Sequence, residues 1–205
     1  MKNNTTLLYY SQNASEFIEN TQNVNMSAIQ NEFLDLLPPN AQILDFGCGS
    51  GRDSLAFLKR GFFVDAVDGC VEFCSATEKL TEDFKSSGKI KIKQLQFSEF
   101  CESQKYDGIW ACSSLLHVPK SELSEIFLKI KNALKPDGIF YTSFKCGNFE
   151  GMRNGRYFSD FSETELCSLI EKSTNFKIIQ IWQTKDVRPE RTETWINAIF
   201  RKQAR

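Results

Sequence analysis

Short β-branched and aromatic runs recur along this chain, separated by segments with helical periodicity, and few folds accommodate that alternation. "QILDF", "FFVDAV", "IKIKQL", "YDGIWAC", "GIFYTSF" and "FKIIQIW" have the composition of strands. Between them, "RDSLAFLKRG" closes on Gly61, a good helix terminator. "PKSELSEIFLKIKNALKPDG" sets Pro119 at a first helical position and places Leu123, Ile126, Phe127, Ile130 and Leu134 on one face. "SETELCSLIEKS" opens with Ser162 and Glu165 in capping-box spacing. The alternation predicts an α/β fold, a mostly parallel sheet with helices on both faces. The tail breaks the rhythm: "FKIIQIWQT" and "TWINAIFRK" are joined only by "KDVRPER", so they should pair antiparallel. Ahead of the first strand, "SEFIENT" and "MSAIQNEFLDLL" read as helices, the second stopped by Pro38–Pro39. A chain of 205 residues suits one structural domain, here a core over 41–205 with a helical extension over 1–40.

The first strand runs into "DFGCGSGRD". Gly47, Gly49 and Gly51 alternate directly behind Asp45, and Arg52 stands where a dinucleotide fingerprint has its third glycine. Bare backbone lets a ligand lie against the turn, and the helix start behind it favours a negative group. Asp45 makes a pyrophosphate an awkward guest and an ammonium a welcome one. Asp68, ending the second strand, is placed to accept bonds from two ribose hydroxyls. An amino-acid end joined to a ribose end describes S-adenosylmethionine.

"LDFGCGSGRD" followed by "DAVDG" resembles the glycine motif and acidic post-motif of class I S-adenosylmethionine-dependent methyltransferases. "YDGIWACSSLLHVP" is similar to the fourth-strand motif of that family. "ALKPDGIFYTSF" is similar to its "L-x-P-G-G" turn and fifth strand, with Asp137 replacing the first glycine. Within the family, the chain most resembles the small bacterial tellurite-resistance type. The resemblance implies a Rossmann-like sheet of seven strands, six parallel and the last antiparallel, inserted between strands five and six. It also implies S-adenosyl-L-methionine as cofactor and S-adenosyl-L-homocysteine as product. Carried over by position, Gly47, Cys48, Gly49 and Gly51 would line the methionyl part and Asp45 would orient its ammonium. Asp68 would hold the ribose, with Gly69 and Cys70 beside the adenine, Phe97 and Ser98 near its amino group, and Ala111 near the methyl.

The acceptor should meet the loops leaving strands four, five and six. His117, the single histidine, could take a proton from the acceptor, or could cap "LLHVP" before the next helix. The long connection "KCGNFEGMRNGRYFSDF" carries Lys145, Arg153 and Arg156 beside Tyr157 and Phe158, with Tyr157 a second catalytic candidate. "TKDVRPER" adds Arg188 and Arg191, the preferred substrate-binding pair. These cations suit an anionic or soft nucleophilic small molecule, although arginines paired with Glu150 and Glu190 would serve solubility alone. "YYSQNASEFIENT" could fold over the cofactor as a lid, with Tyr9 or Tyr10 covering it.

Other classes compete. A net charge of −1 gives no global pull toward nucleic acid, which weakens the RNA-methylating alternative. A non-catalytic cofactor-binding accessory protein would keep the glycine turn and Asp68 without needing an acceptor pocket. The seven cysteines form no CxxC pair, so no metal site is expected, and they read as reduced thiols of a cytoplasmic protein. Cys48, Cys112 and Cys146 at strand ends could grip a soft metalloid, but packing accounts for them as well. No stretch reaches membrane-spanning length, and the oligomeric state is not encoded in any readable pattern.

Overall fold

A computed structural model describes residues 2–188 and 190–203. Three helices come first: α1 (Lys2–Gln12), α2 (Ala14–Thr21) and α3 (Ser27–Leu34). Then follow β1 (Gln42–Phe46), α4 (Arg52–Lys59), β2 (Phe63–Asp68), α5 (Val71–Leu80), β3 (Ile90–Gln94) and β4 (Tyr106–Ala111). The second half contains α6 (Lys120–Ala133), β5 (Leu134–Lys145), β6 (Glu150–Arg153), β7 (Arg156–Ser159), α7 (Glu163–Thr174), β8 (Lys177–Lys185) and β9 (Thr194–Arg201). Seven strands form one sheet in the order β3-β2-β1-β4-β5-β9-β8. β9 runs antiparallel to β8, as the tail pattern predicted, and to β5, as the resemblance implied. Pro189, in the β8–β9 connection, lies outside the described residues.

Alternation along the strands explains the two covered faces. Leu44, Phe46, Ile109, Phe140 and Phe144 point to one side, against Leu123, Phe127 and Ile130 of α6 and Leu166 and Ile170 of α7. Ile43, Val64, Trp110, Ile139 and Tyr141 point to the other, against Phe33 of α3 and Phe57 of α4. The period of two thus fills two cores at once.

Local chemistry sets the boundaries. α4 ends at Arg60 with Gly61 at φ +91, the left-handed residue that closes helices. The Ser162 side chain accepts from the Glu165 N–H at 3.2 Å, capping α7. α6 stops at Ala133 because Pro136 pushes the residue before it into extended backbone. Asp137 takes φ +60 in the turn, a left-handed position that aspartate tolerates better than most residues.

Three elements go beyond the strand–helix pattern read from sequence. α1 is a full helix, α5 covers β2 and β3, and the long post-β5 connection is a hairpin, β6 pairing antiparallel with β7. The β4–α6 connection holds a 3-10 turn, Leu115–His117.

Candidate active site

The chain leaves β1 through the glycine turn and enters α4. The N–H groups of Gly47 and Cys48 both donate to the Val67 carbonyl, at 2.8 and 3.0 Å. On the other side, Ser114 Oγ donates to the Phe46 carbonyl at 2.6 Å. The turn is therefore pinned to the ends of β2 and β4 together. A Cβ on Gly47 would lie 2.4 Å from Ser114 Cβ, and one on Gly51 would lie 2.9 Å from Thr77 Cα. Gly51 thus serves the close approach of α5 and Gly47 that of Ser114, while Gly47, Cys48 and Gly49 also line a cavity of about 250 Å³.

Across that cavity sits Asp68. Its Oδ2 accepts from the Gly49 N–H at 3.0 Å and its Oδ1 from the Cys70 N–H at 2.9 Å. Each carboxylate oxygen keeps capacity for a further donor. Burial pushes the Asp68 carboxyl up to about 6 despite these backbone donors. Gly69 is also at the wall, where Leu7 of α1 covers it. Gln96 and Phe97 bound the same end.

The roof is built from three separate stretches. Tyr10 of α1 lies with its hydroxyl 2.8 Å from His117 Nε2, while His117 Nδ1 lies 2.6 Å from the Tyr157 carbonyl. A carbonyl only accepts, so Nδ1 carries the hydrogen and Nε2 accepts from Tyr10. The Tyr157 N–H donates to Thr6 Oγ1 at 2.9 Å, tying the hairpin to α1. Burial, with the nearby Arg156 and Lys145 charges, lowers His117 to about 4, so it is a neutral imidazole at physiological pH.

Cations dominate the far wall, and most are already neutralised. Arg188 pairs with Asp186 through Nε and Nη2 at 2.8 and 2.6 Å, and Trp195 Nε1 adds a bond to the same carboxylate at 3.1 Å. These partners hold the Asp186 carboxyl down at about 2 against its burial. Lys145 pairs with Glu193 at 2.7 Å, and Arg191 lies 3.8 Å from it. Arg52 grips Asp53, which also accepts from Gln30 Nε2 and Trp110 Nε1 at 2.7 and 2.9 Å.

Many of the positions proposed from sequence therefore face one space: Gly47, Cys48, Gly49, Asp68, Gly69, Phe97, His117, Arg156, Arg188 and Arg191, with Lys145, Phe158 and the lid residue Tyr10. The other positions sit elsewhere. Asp45 lies buried beneath the turn, its carboxyl accepting from Ser54 Oγ at 2.6 Å and pushed up by burial and by the Asp53 charge. Cys70 is buried behind Asp68, and Ser98 is exposed with its carbonyl accepting from Lys129 Nζ. Ala111 is covered within the sheet, and the next two residues, Cys112 and Ser113, reach the cavity instead. Tyr157 turns its hydroxyl to Glu150 at 2.8 Å, so its backbone rather than its phenol serves the roof. Arg153 pairs with Asp160 at 2.5 Å, away from the cavity wall. The sequence reading missed Gln96, although it follows β3 as an adenine-facing residue should, and it missed the Asp53 hub, which has no local signature.

Sheet order, reversed last strand, glycine turn after β1 and carboxylate after β2 make up the Rossmann-like fold of class I S-adenosylmethionine-dependent methyltransferases. Residues 43–138 match the family described as Methyltransferase domain. YqeM of Bacillus subtilis, a protein with a provisional methyltransferase assignment, is 31% identical over 119 residues, covering 53% of this chain and 46% of that protein. Alpha N-terminal protein methyltransferase 1 of Drosophila melanogaster is 33% identical over 103 residues, 49% of this chain and 37% of the fly protein. The chain spans less than half the length of these curated relatives.

Solved structures share the fold more completely. The Burkholderia thailandensis 1,6-didemethyltoxoflavin-N1-methyltransferase, bound to 1,6-didemethyltoxoflavin and S-adenosylhomocysteine, superposes with a TM-score of 0.81 at 22% identity. The match covers 98% of this chain and 88% of that one. TehB from Haemophilus influenzae gives a TM-score of 0.72 at 16% identity over 93% of this chain and 67% of its own. The cyclase SpnF gives 0.70 at 14% identity over 87% of this chain and 82% of its own, so the fold alone does not fix a reaction.

The site fits the cofactor of this class. Gly47 and Gly49 line the cavity, and Asp68 has free acceptor capacity at the same wall. Gly47, Cys48 and Gly49 would hold the methionyl part, Asp68 the ribose, and Gln96 and Phe97 the adenine.

Proposed function

We propose that this protein transfers a methyl group from S-adenosylmethionine to a small molecule, anionic or softly nucleophilic. One observation carries the reading: the cavity between glycine turn and cationic wall is roofed by α1, by the post-β4 turn and by the hairpin. Such a roof suits a compact acceptor better than a polymer strand.

When bound, the cofactor supplies an electrophilic methyl on a sulfonium. The chain's own residues do the rest. Leu7, Tyr10 and Phe17 exclude water above the glycine turn. Holding a nucleophile at attack distance in such a chamber accounts for up to roughly 7–11 kcal/mol of barrier lowering in favourable cases. His117 Nε2 already accepts from the Tyr10 hydroxyl, so a proton from an acceptor hydroxyl, amine or thiol would pass to the Tyr10 oxygen as the Tyr10 proton moves to Nε2. The Nδ1 bond to the Tyr157 carbonyl fixes its tautomer.

The test is direct. Metabolite extracts incubated with the protein and methyl-labelled S-adenosylmethionine, then analysed by mass, should yield a labelled small product and stoichiometric S-adenosylhomocysteine. Label entering RNA or protein instead, or no saturable binding of S-adenosylhomocysteine by calorimetry, would overturn the reading.

A further inference from the structure

The cavity's cations differ in what already neutralises them. Arg52, Arg188, Lys145 and Arg191 each lie against a carboxylate, and Lys185 is exposed to water with Nζ donating to Thr194 Oγ1 at 3.0 Å. Arg156 has no acidic partner among the described residues. Its guanidinium carbon lies 4.8 Å from the Tyr9 ring centroid, 5.6 Å from Tyr10 and 5.2 Å from Phe158. Its Nε is buried without any hydrogen-bond partner, and its Nη1 reaches only the Tyr10 hydroxyl, at a long 3.4 Å. An aromatic box holds the charge well but leaves donors unmet, a costly arrangement unless something else satisfies them.

We propose that Arg156 anchors the methyl acceptor, and that the acceptor is a small carboxylic acid. This rests on the methyl-transfer reading, which it narrows. A guanidinium fork matches a carboxylate edge to edge, and one uncommitted charge balances one negative charge. A phosphate dianion would call for a second free cation, and Arg52, Arg188 and Lys145 are held by Asp53, Asp186 and Glu193, while Lys185 is turned to water. Tyr10 and Phe158 offer ring surface to the carbon body behind the carboxylate. Because the Tyr10 hydroxyl touches both Arg156 Nη1 and His117 Nε2, a carboxylate seated on Arg156 sets the rest of the molecule beside His117. The sequence-level choice of Arg188 and Arg191 thus gives way to Arg156, since Asp186 and Glu193 already occupy the other two.

The experiment uses the single histidine as reporter. Tag-free protein is first titrated with S-adenosylhomocysteine by calorimetry, then saturated with it and titrated with acetate, benzoate, their amides acetamide and benzamide, and phenyl phosphate. The His117 imidazole signals are followed by NMR. At least one carboxylate should shift them saturably with a Kd at least tenfold below that of its amide. R156M should abolish the discrimination and R156K should fall between, each with unchanged S-adenosylhomocysteine affinity and thermal melting confirming the fold. Carboxylates binding no better than amides, R156M behaving as the unaltered protein, or phenyl phosphate binding tenfold tighter than benzoate would overturn the assignment. If S-adenosylhomocysteine itself fails to bind, the methyltransferase reading falls; if it binds and carboxylates are not discriminated, only the anchor falls.

Discussion

The hydroxyl of Tyr10 donates to Nε2 of His117 at 2.8 Å, joining the first helix of the chain to the turn that follows β4. Tyr10→Phe leaves that buried nitrogen without its donor. The expected cost is about 1–2 kcal/mol by chemical denaturation, with faster hydrogen exchange confined to α1. Unchanged exchange in α1 would show that the bond does not hold the roof.

His117 also fixes a pH dependence. Its folded-state value of about 4 lies below the ordinary 6.5, so between these values the unfolded chain binds a proton that the folded protein refuses. Stability should therefore fall as pH drops from 6.5 toward 4, this group contributing roughly 2 kcal/mol of the loss at pH 4.5. In His117→Gln that part of the acid slope should vanish. Urea midpoints for both proteins at pH 4.5 and 7 provide the check, and parallel slopes would refute it.

Asp68 gives cofactor binding a pH dependence of its own. Its carboxyl ionises at about 6, and the ionised form is the better acceptor for ribose hydroxyls. S-adenosylhomocysteine affinity should weaken as pH falls below about 6, and Asp68→Asn should flatten this profile while lowering affinity roughly tenfold or more. Calorimetry at pH 5 and 8 measures both, and a variant that binds as the parent does would remove Asp68 from the ribose site.

Asp53 ties three elements together by accepting from Arg52, Gln30 and Trp110. Asp53→Asn leaves the half-buried Arg52 guanidinium without its carboxylate. We expect a loss of about 3 kcal/mol in urea denaturation; a loss under 1 kcal/mol would mean water replaces the pair.

The features legible in sequence were those encoded within a few residues. Alternation along "QILDF" and "GIFYTSF" gave strand faces directly, and the reversed β9 followed from a connection too short for a crossover. The glycine turn and Asp68 stood out because backbone conformation and strand ends leave local marks. Tyr10, Arg156 and His117 meet across 107 and 146 positions of chain, a convergence no local pattern records. Charge state was equally hidden: Arg188 and Arg156 look alike in sequence, and only the fold reveals that one has Asp186 beside it and the other has rings. Ala111 and Tyr157 were one step or one bond away from the surface that matters, since a strand's last covered residue and a backbone carbonyl are settled by packing.

The helix over the cavity has a kinetic consequence. Leu7 rests on Gly69 and Tyr9 on Gly155, yet the fully covered cluster near this helix is small, centred on Ala14, Cys70 and Phe73. On the methyl-transfer reading, releasing spent cofactor then calls for lifting a dozen residues rather than unfolding the sheet. Turnover should be paced by that door, with the chemical event waiting behind it.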